Sequence, residues 1–282
     1  KLKLICLKKK IILIGSSGSL GKQIISTLLS KKRYALKKVS RKDFNYIKNF
    51  KKLEKVIHNF KPNFVINCAA LAGMLICKNK VNTAFETNFA FPAKLADLIN
   101  KKNIKLIHFS TECVFEGKKK NKIYSEKDFP KPLSIYGTSK YLGEIAIGNK
   151  KNTLIIRLPL LYGPTHHNNK QIVGRLLENL KCNKKINVAK DVFSTPVFSP
   201  HVSEFIHFII SNKKKFFKRK LIHLTTNNYL SMYDLIKKLV KPIDKTHLII
   251  GVKDSFFGHD SLNPKNFGLK SNYKDCYLPH RS

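Results

Sequence analysis

Ile11-Ile12-Leu13-Ile14-Gly15-Ser16-Ser17-Gly18-Ser19-Leu20-Gly21 decides how the chain folds. Four consecutive aliphatic residues read as a strand buried on both faces. Glycines at 15, 18 and 21 then lead into a helix over Lys22–Ser30, whose Ile24, Ile25, Leu28 and Leu29 make one apolar face. In a strand, tight turn and helix of this kind, glycines let a pyrophosphate approach the backbone and the helix N-terminus attracts its charge. Gly15, Ser17, Gly18, Ser19, Leu20 and Gly21 are therefore candidate dinucleotide contacts. A triphosphate loop is disfavoured, because Ser16 replaces the glycine and Gln23 follows Lys22 where Ser or Thr should hold magnesium.

Outward from this stretch, apolar runs alternate with helical patterns at βαβ spacing, which predicts an α/β fold with a doubly wound parallel sheet. Strands are expected near Ala35–Val39, Asn63–Asn67, Leu106–Phe109 and Leu154–Ile156, with helices over Phe50–Phe60, Thr83–Asn100 and Gly137–Ala146. After Pro159 the regularity weakens. Short strands at Ile186–Val188 and Leu221–Leu224 and helices at Lys170–Leu180, Val202–Ile210 and Met232–Leu239 suggest a smaller part. The expected division is a dinucleotide-binding domain over 8–160 and a mainly substrate-binding part over 161–282, interleaved with it.

The chain has 282 residues, 43% of them hydrophobic, enough to bury a core and to exclude wholesale disorder. Lys plus Arg total 55 against 17 Asp plus Glu. Such charge suits phosphate polymers, but lysine runs from Lys1 to Lys274, arginine is scarce, and the bias resembles AT-rich coding. Solvated lysine faces on an ordinary enzyme are the plainer reading, with no specific nucleic-acid partner expected. The cysteines, Cys6, Cys68, Cys77, Cys113, Cys182 and Cys276, show no metal spacing, and none is expected to hold a metal. No apolar run approaches a membrane span, so no membrane partner and a cytoplasmic location are expected.

Two features address cofactor and chemistry. At the end of the second strand, where an NAD enzyme usually carries an acidic residue, stand Ser40-Arg41, suited to a 2′-phosphate. NADPH is therefore the favoured cofactor, with NADH an alternative. Asp43 and Phe44 are placed to accept from an adenine amine and to lie against its ring, or else they fill a loop. Tyr136-x-x-x-Lys140 sets both side chains on one helical face, where an ammonium favours tyrosinate and fits Tyr for acid-base work. Tyr34/Lys38 and Tyr233/Lys237 share the spacing, but only Tyr136 follows a buried-type strand that ends in Ser110-Thr111.

These residues carry a resemblance. The glycine turn, Lys61 through Ala70, Asn88, Ser110-Thr111-Glu112-Cys113-Val114-Phe115-Glu116-Gly117 and Tyr136-Gly137-Thr138-Ser139-Lys140 resemble the extended short-chain dehydrogenase/reductases, most of all the dTDP-4-dehydrorhamnose reductase family. Tyr124-Ser125-Glu126, Leu142-Gly143-Glu144, Tyr162-Gly163-Pro164, Ser194-Thr195-Pro196 and the tail Asn263-Pro264-Lys265-Asn266 extend the likeness over nearly the whole chain. The resemblance implies a Rossmann-type fold and hydride transfer to the C4 carbonyl of a nucleotide-linked 4-keto-6-deoxy sugar. Thr111, Tyr136 and Lys140 would be catalytic: Tyr136 protonates the alkoxide, Lys140 holds the nicotinamide ribose and tunes Tyr136, and Thr111 aligns the carbonyl. Cys68, Ala69, Ala70 and Asn88 would line the cofactor pocket, and Glu112, Cys113, Arg157 and Thr195 would face the substrate. Lys170 and Arg175 are further candidates for its diphosphate. A homodimer is left open.

Departures bear on the substrate. Glu112-Cys113 replace the family's Asp-Tyr, the Trp expected after Arg157 is absent, and Asn263 stands where the tail usually has Arg. A 4,6-dehydratase would need a second adjacent carboxylate, which Cys113 denies. A regulatory subunit on the same fold would not need Thr111, Tyr136 and Lys140 together. His166-His167 read as solvated loop residues.

Overall fold

The computed structural model describes residues 8–118, 121–164, 172–258 and 264–279. The chain opens with β1 (Lys9–Ile14), α1 (Ser19–Ser30), β2 (Tyr34–Val39), α2 (Phe50–Phe60) and β3 (Phe64–Asn67). Next come α3 (Met74–Asn79), α4 (Val81–Phe85), a π-helical turn at Glu86–Ala90, α5 (Phe91–Lys101), β4 (Lys105–Thr111), α6 (Ile135–Gly148) and β5 (Thr153–Leu158). The remainder holds β6 (Leu161–Tyr162), α7 (Ile172–Lys181), β7 (Ile186–Ala189), β8 (Phe193–Ser194), β9 (Val197–Phe198), α8 (Ser199–Ser211), α9 (Lys213–Arg219), β10 (Leu221–His223), β11 (Leu230–Ser231), α10 (Met232–Val240) and β12 (Ile249–Val252).

The central sheet has the order β10-β5-β4-β3-β1-β2, and β1 pairs in parallel with both β2 and β3. The expected α/β class with a parallel central sheet is thus the one observed, and the sheet has six strands. Chain order reverses between β1 and β3, the topological switch point at which open α/β sheets bind ligands. Ile11 through Ile14, Val65, Ile66, Leu106 and Ile107 are wholly buried, as expected of strands covered on both faces. Helix α2 shows how local signals place a covering element. Leu53 and Ile57 face inward one turn apart, the Asn49 side chain caps Lys52 N–H, and Lys61 ends the helix in a left-handed conformation before Pro62.

The helix expected over Thr83–Asn100 is interrupted. Pro92 has no N–H to give the Asn88 carbonyl, and Phe91 N–H reaches back five residues to the Glu86 carbonyl instead. The π turn that results positions Asn88.

The described residues form two compact units. One comprises those in Lys1–Phe109, Leu142–Ile155 and Ser203–Lys220. The other comprises those in Ser110–Tyr141, Ile156–Val202 and Leu221–Ser282. In the second, Tyr162, Val188, Phe198, Leu235 and Ile249 share a buried cluster, over which β12 pairs in parallel with β7. Among the described residues no helix is long and apolar enough to cross a membrane. His166, His167, Lys170 and Asn263 lie outside the described residues.

Candidate active site

The first unit builds a cradle at the switch point. Gly15 has φ +78°, and a Cβ there would lie 2.7 Å from Ala69 N, so only glycine lets the loops after β1 and β3 touch. A Cβ at Gly21 would meet the Gly15 carbonyl oxygen at 2.5 Å, which brings α1 hard against the turn. Gly15 N–H and Ser16 N–H both donate to the Val39 carbonyl and bind the turn to β2. Helix α1 is capped by Gly18, has no side-chain cap bond and carries no acidic residue in its first turn. Ser17 and Gly18 are exposed, and Ser19 and Leu20 half-buried, so the surface of this helix end is polar, uncharged backbone. A pyrophosphate fits such a surface.

The rim of the cradle is equally specific. Ser40 is buried, and its N–H and hydroxyl donate to Asp43 Oδ2 at 2.7 and 2.9 Å. Those bonds hold the Asp43 carboxyl below its ordinary range. The carboxylate nearest the end of β2 is thus turned back on the chain, while Arg41 beside it is exposed. Phe44 is half-buried, with Lys52 Nζ 5.0 Å from its ring centre and Tyr46 edge-on at 6.4 Å.

After β3, Cys68 N–H bonds to the Ile14 carbonyl and Ala69 N–H to Asn67 Oδ1. Asn67 Nδ2 donates to His108 Nδ1 at 3.0 Å, which puts the imidazole proton on Nε2. Asn88, fully buried, grips Leu71 with both ends of its amide: Oδ1 accepts the Leu71 N–H and Nδ2 donates to the Leu71 carbonyl, each at 2.9 Å. It therefore shapes the Cys68–Ala70 loop through Leu71.

The second unit holds Thr111, Tyr136 and Lys140. Thr111 closes β4 with only 7% exposure, and its Oγ1 accepts the Cys113 N–H at 3.2 Å. A Cβ on Gly137 would collide with the Cys113 carbonyl oxygen, so the first turn of α6 packs directly on that turn. Tyr136 is half-buried beside this contact, and its carbonyl accepts the Ser139 hydroxyl. Lys140, one helical turn on, is only 1% exposed. Thr111, Tyr136 and Lys140 are thus gathered around one backbone contact.

The expected substrate residues are placed differently from one another. Cys113 is half-buried. Glu112 is buried, accepts from Ser194 Oγ at 2.7 Å, and burial pushes its carboxyl well above the ordinary carboxylate range. Arg157, 3% exposed, stacks 5.1 Å over Phe115 and donates to His223 Nε2 at 3.2 Å. Arginine only donates, so His223 accepts there and donates from Nδ1 to the Lys270 carbonyl at 3.0 Å. Thr195 accepts the Leu269 N–H and lies 2.8 Å from the Thr225 hydroxyl. Arg157 and Thr195 therefore hold interior contacts. Arg175 is exposed on α7. Sequence reading singled out Ser194 and Glu126 only within family-like stretches, gave them no role, and missed His223; their roles depend on partners scores of residues away.

Residues 9–273 match the family model described as the RmlD substrate binding domain. The chain belongs to this family. It is 26% identical to the dTDP-4-dehydrorhamnose reductase of Aggregatibacter actinomycetemcomitans over 231 residues, covering 80% of this chain and 76% of that one. Over 131 residues it is 30% identical to methionine adenosyltransferase 2 subunit beta of Pongo abelii, which spans 46% of this chain and 39% of that protein. The fold is shared with the dTDP-4-dehydrorhamnose reductase of Bacillus anthracis solved in complex with NADP: TM-score 0.85, 24% identity, 94% of this chain and 92% of that one. The RmlD-family chain thus carries the glycine cradle and the Thr111, Tyr136 and Lys140 set along one continuous match.

Proposed function

We propose that this RmlD-family chain is an NADPH-preferring reductase of a nucleotide-linked 4-keto-6-deoxy sugar, with dTDP-4-dehydrorhamnose the leading substrate. The observation that supports the reading is the packing of Gly137 on Cys113, which sets the first turn of α6, bearing Tyr136, against the turn that follows Thr111. The collision-tight glycine cradle fits a dinucleotide pyrophosphate, and the withdrawn Asp43 with exposed Arg41 fits a 2′-phosphate. NADPH, when bound, supplies the hydride. Gly15, Gly18, Ser19 and Arg41 bind its phosphates, and Asn88 holds the loop that carries Cys68, Ala69 and Ala70. Thr111 donates a hydrogen bond to the carbonyl oxygen and aligns it. Tyr136 gives its phenolic proton to the oxygen as charge builds there. Lys140 holds the nicotinamide ribose, and its positive charge favours loss of the Tyr136 proton.

The half-buried Cys113, whose N–H bonds to Thr111, would face the sugar, and the enzyme would work as a soluble cytoplasmic protein. The likeness to methionine adenosyltransferase 2 subunit beta spans 46–63% of this chain and 39–54% of those proteins, less than the reductase match. The test is loss of NADPH absorbance with enzymatically made dTDP-4-dehydrorhamnose. Turnover supports the reading; tight NADPH binding without turnover moves the substrate to another 4-keto nucleotide sugar.

A further inference from the structure

The strands of the central sheet begin in cations. Taken in sheet order, Lys220 precedes β10, Lys151 precedes β5, Lys105 begins β4, Lys61 lies before β3, Lys9 begins β1 and Arg33 precedes β2. All six belong to the first unit. Backbone hydrogen bonds run along this edge, from Ile155 N–H to the Lys220 carbonyl, Leu106 N–H to Asn152, Lys105 N–H to Asn63 and Asn63 N–H to Lys10, while Lys9 pairs with Tyr34. Strands lie about 4.8 Å apart, so the cations form a row about 24 Å long. This is the edge opposite the glycine cradle, since parallel strands share one direction.

Several observations set this row apart from lysine scattered by composition. Arg33, Lys61, Lys151 and Lys220 are exposed. Lys61 and Lys220 occupy left-handed positions, φ 49° and 61°, in helix-to-strand turns where glycine or asparagine is the unstrained choice. Acidic groups beside the row are already paired, Glu204 with Lys31 at 3.0 Å and Asp97 with Lys150 at 2.6 Å, which leaves the field of the row uncancelled. Burial, and after it the neighbouring charge of Lys213, pushes the Lys105 ammonium down, and Lys105 Nζ donates to Asn152 Oδ1 at 3.2 Å. Beyond Lys105, Lys213, Lys214 and Lys215 line a shallow cleft of about 310 Å³.

We propose that this edge binds the phosphate backbone of single-stranded nucleic acid without regard to sequence. A line of charges on a twisted sheet edge suits a flexible linear polyanion better than a flat lipid surface. Ammonium groups already cover the nearby rings, Lys10 over Phe60 at 5.8 Å and Lys105 over Phe217 at 5.0 Å, so the edge offers phosphate contacts and no stacking platform.

The test follows the anisotropy of a labelled oligouridylate of about 20 nucleotides across KCl from about 50 to 300 mM, with the full chain. Six contacts give a log–log salt slope of about −4. In the quadruple variant Arg33→Gln, Lys61→Asn, Lys151→Gln, Lys220→Asn, asparagine preserves the left-handed turns, and the slope should shrink by about 3 with at least a tenfold loss of affinity. A control with the same charge loss in the second unit, Lys127→Gln, Lys181→Gln, Lys185→Gln, Lys238→Gln, should bind like wild type, and an oligoadenylate should match the oligouridylate. Equal loss in the control, a strong base preference, binding only to phosphatidylserine vesicles, or no binding by wild type would each overturn the proposal.

Discussion

Ser194 Oγ donates to Glu112 Oε2 at 2.7 Å, tying the residue after Thr111 to a strand 82 positions away. Ser194 in turn accepts the Leu160 N–H at 3.3 Å, so the turn after Thr111 is fastened from the side by a polar chain.

Glu112 titrates above its ordinary value of 4.5 because burial disfavours its charge, against which the Ser194 hydroxyl and Leu160 N–H work. A carboxyl raised by folding costs nothing at low pH; the folded state loses stability as pH climbs from the ordinary value towards the raised one. Glu112→Gln keeps the shape and removes the titration. Its Tm should match wild type near pH 4 and exceed it at pH 8, measured by calorimetry. A deficit at both pH values would show that Glu112 is bound as carboxylate.

Glu126 behaves oppositely. Burial alone would raise it, but bonds from the Ser271 hydroxyl, His223 N–H and Asn272 N–H bring it below the ordinary 4.5. Its contribution is present above the ordinary value and fades as pH falls below it. Glu126→Ala strands these donors at about 1–3 kcal/mol each when buried, and Tm at pH 7 should fall by roughly 5–15 °C. The gap should narrow in acid.

Arg41→Ala should raise KM for NADPH by about tenfold while leaving KM for NADH nearly unchanged, since only the former carries the 2′-phosphate that a guanidinium recognises. Equal effects on both cofactors would place Arg41 away from the ribose.

Gly15→Ala puts a methyl 2.7 Å from Ala69 N at a φ of +78°. Spread loops at the switch point should weaken NADPH binding by at least about a hundredfold, seen by fluorescence titration, and lower Tm by a few degrees.

How much of this was legible depends on range. Strands β1, β3 and β4 are uninterrupted apolar runs beside turn residues, and their reading needs no tertiary knowledge. The strands β6, β8, β9 and β11 are two residues each, too short to carry a period. The sequence reading ran one helix through Pro92; the π turn before it depends on the Phe91–Glu86 bond, which the proline alone does not specify. Spacing proposes Tyr136 and Lys140, while the Gly137–Cys113 approach that gathers them with Thr111 is a tertiary fact. Arg157 looked like a diphosphate ligand because it is charged; His223 and Phe115, which occupy it, are distant in sequence.

The central claim is that Tyr136 supplies the proton in a hydride transfer from NADPH. Tyr136→Phe removes one oxygen from a half-buried ring. The account predicts unchanged Tm and NADPH affinity, with kcat on dTDP-4-dehydrorhamnose down by about 10²–10⁴-fold. A Tyr136→Phe protein that oxidises NADPH with this sugar at the wild-type rate would contradict it.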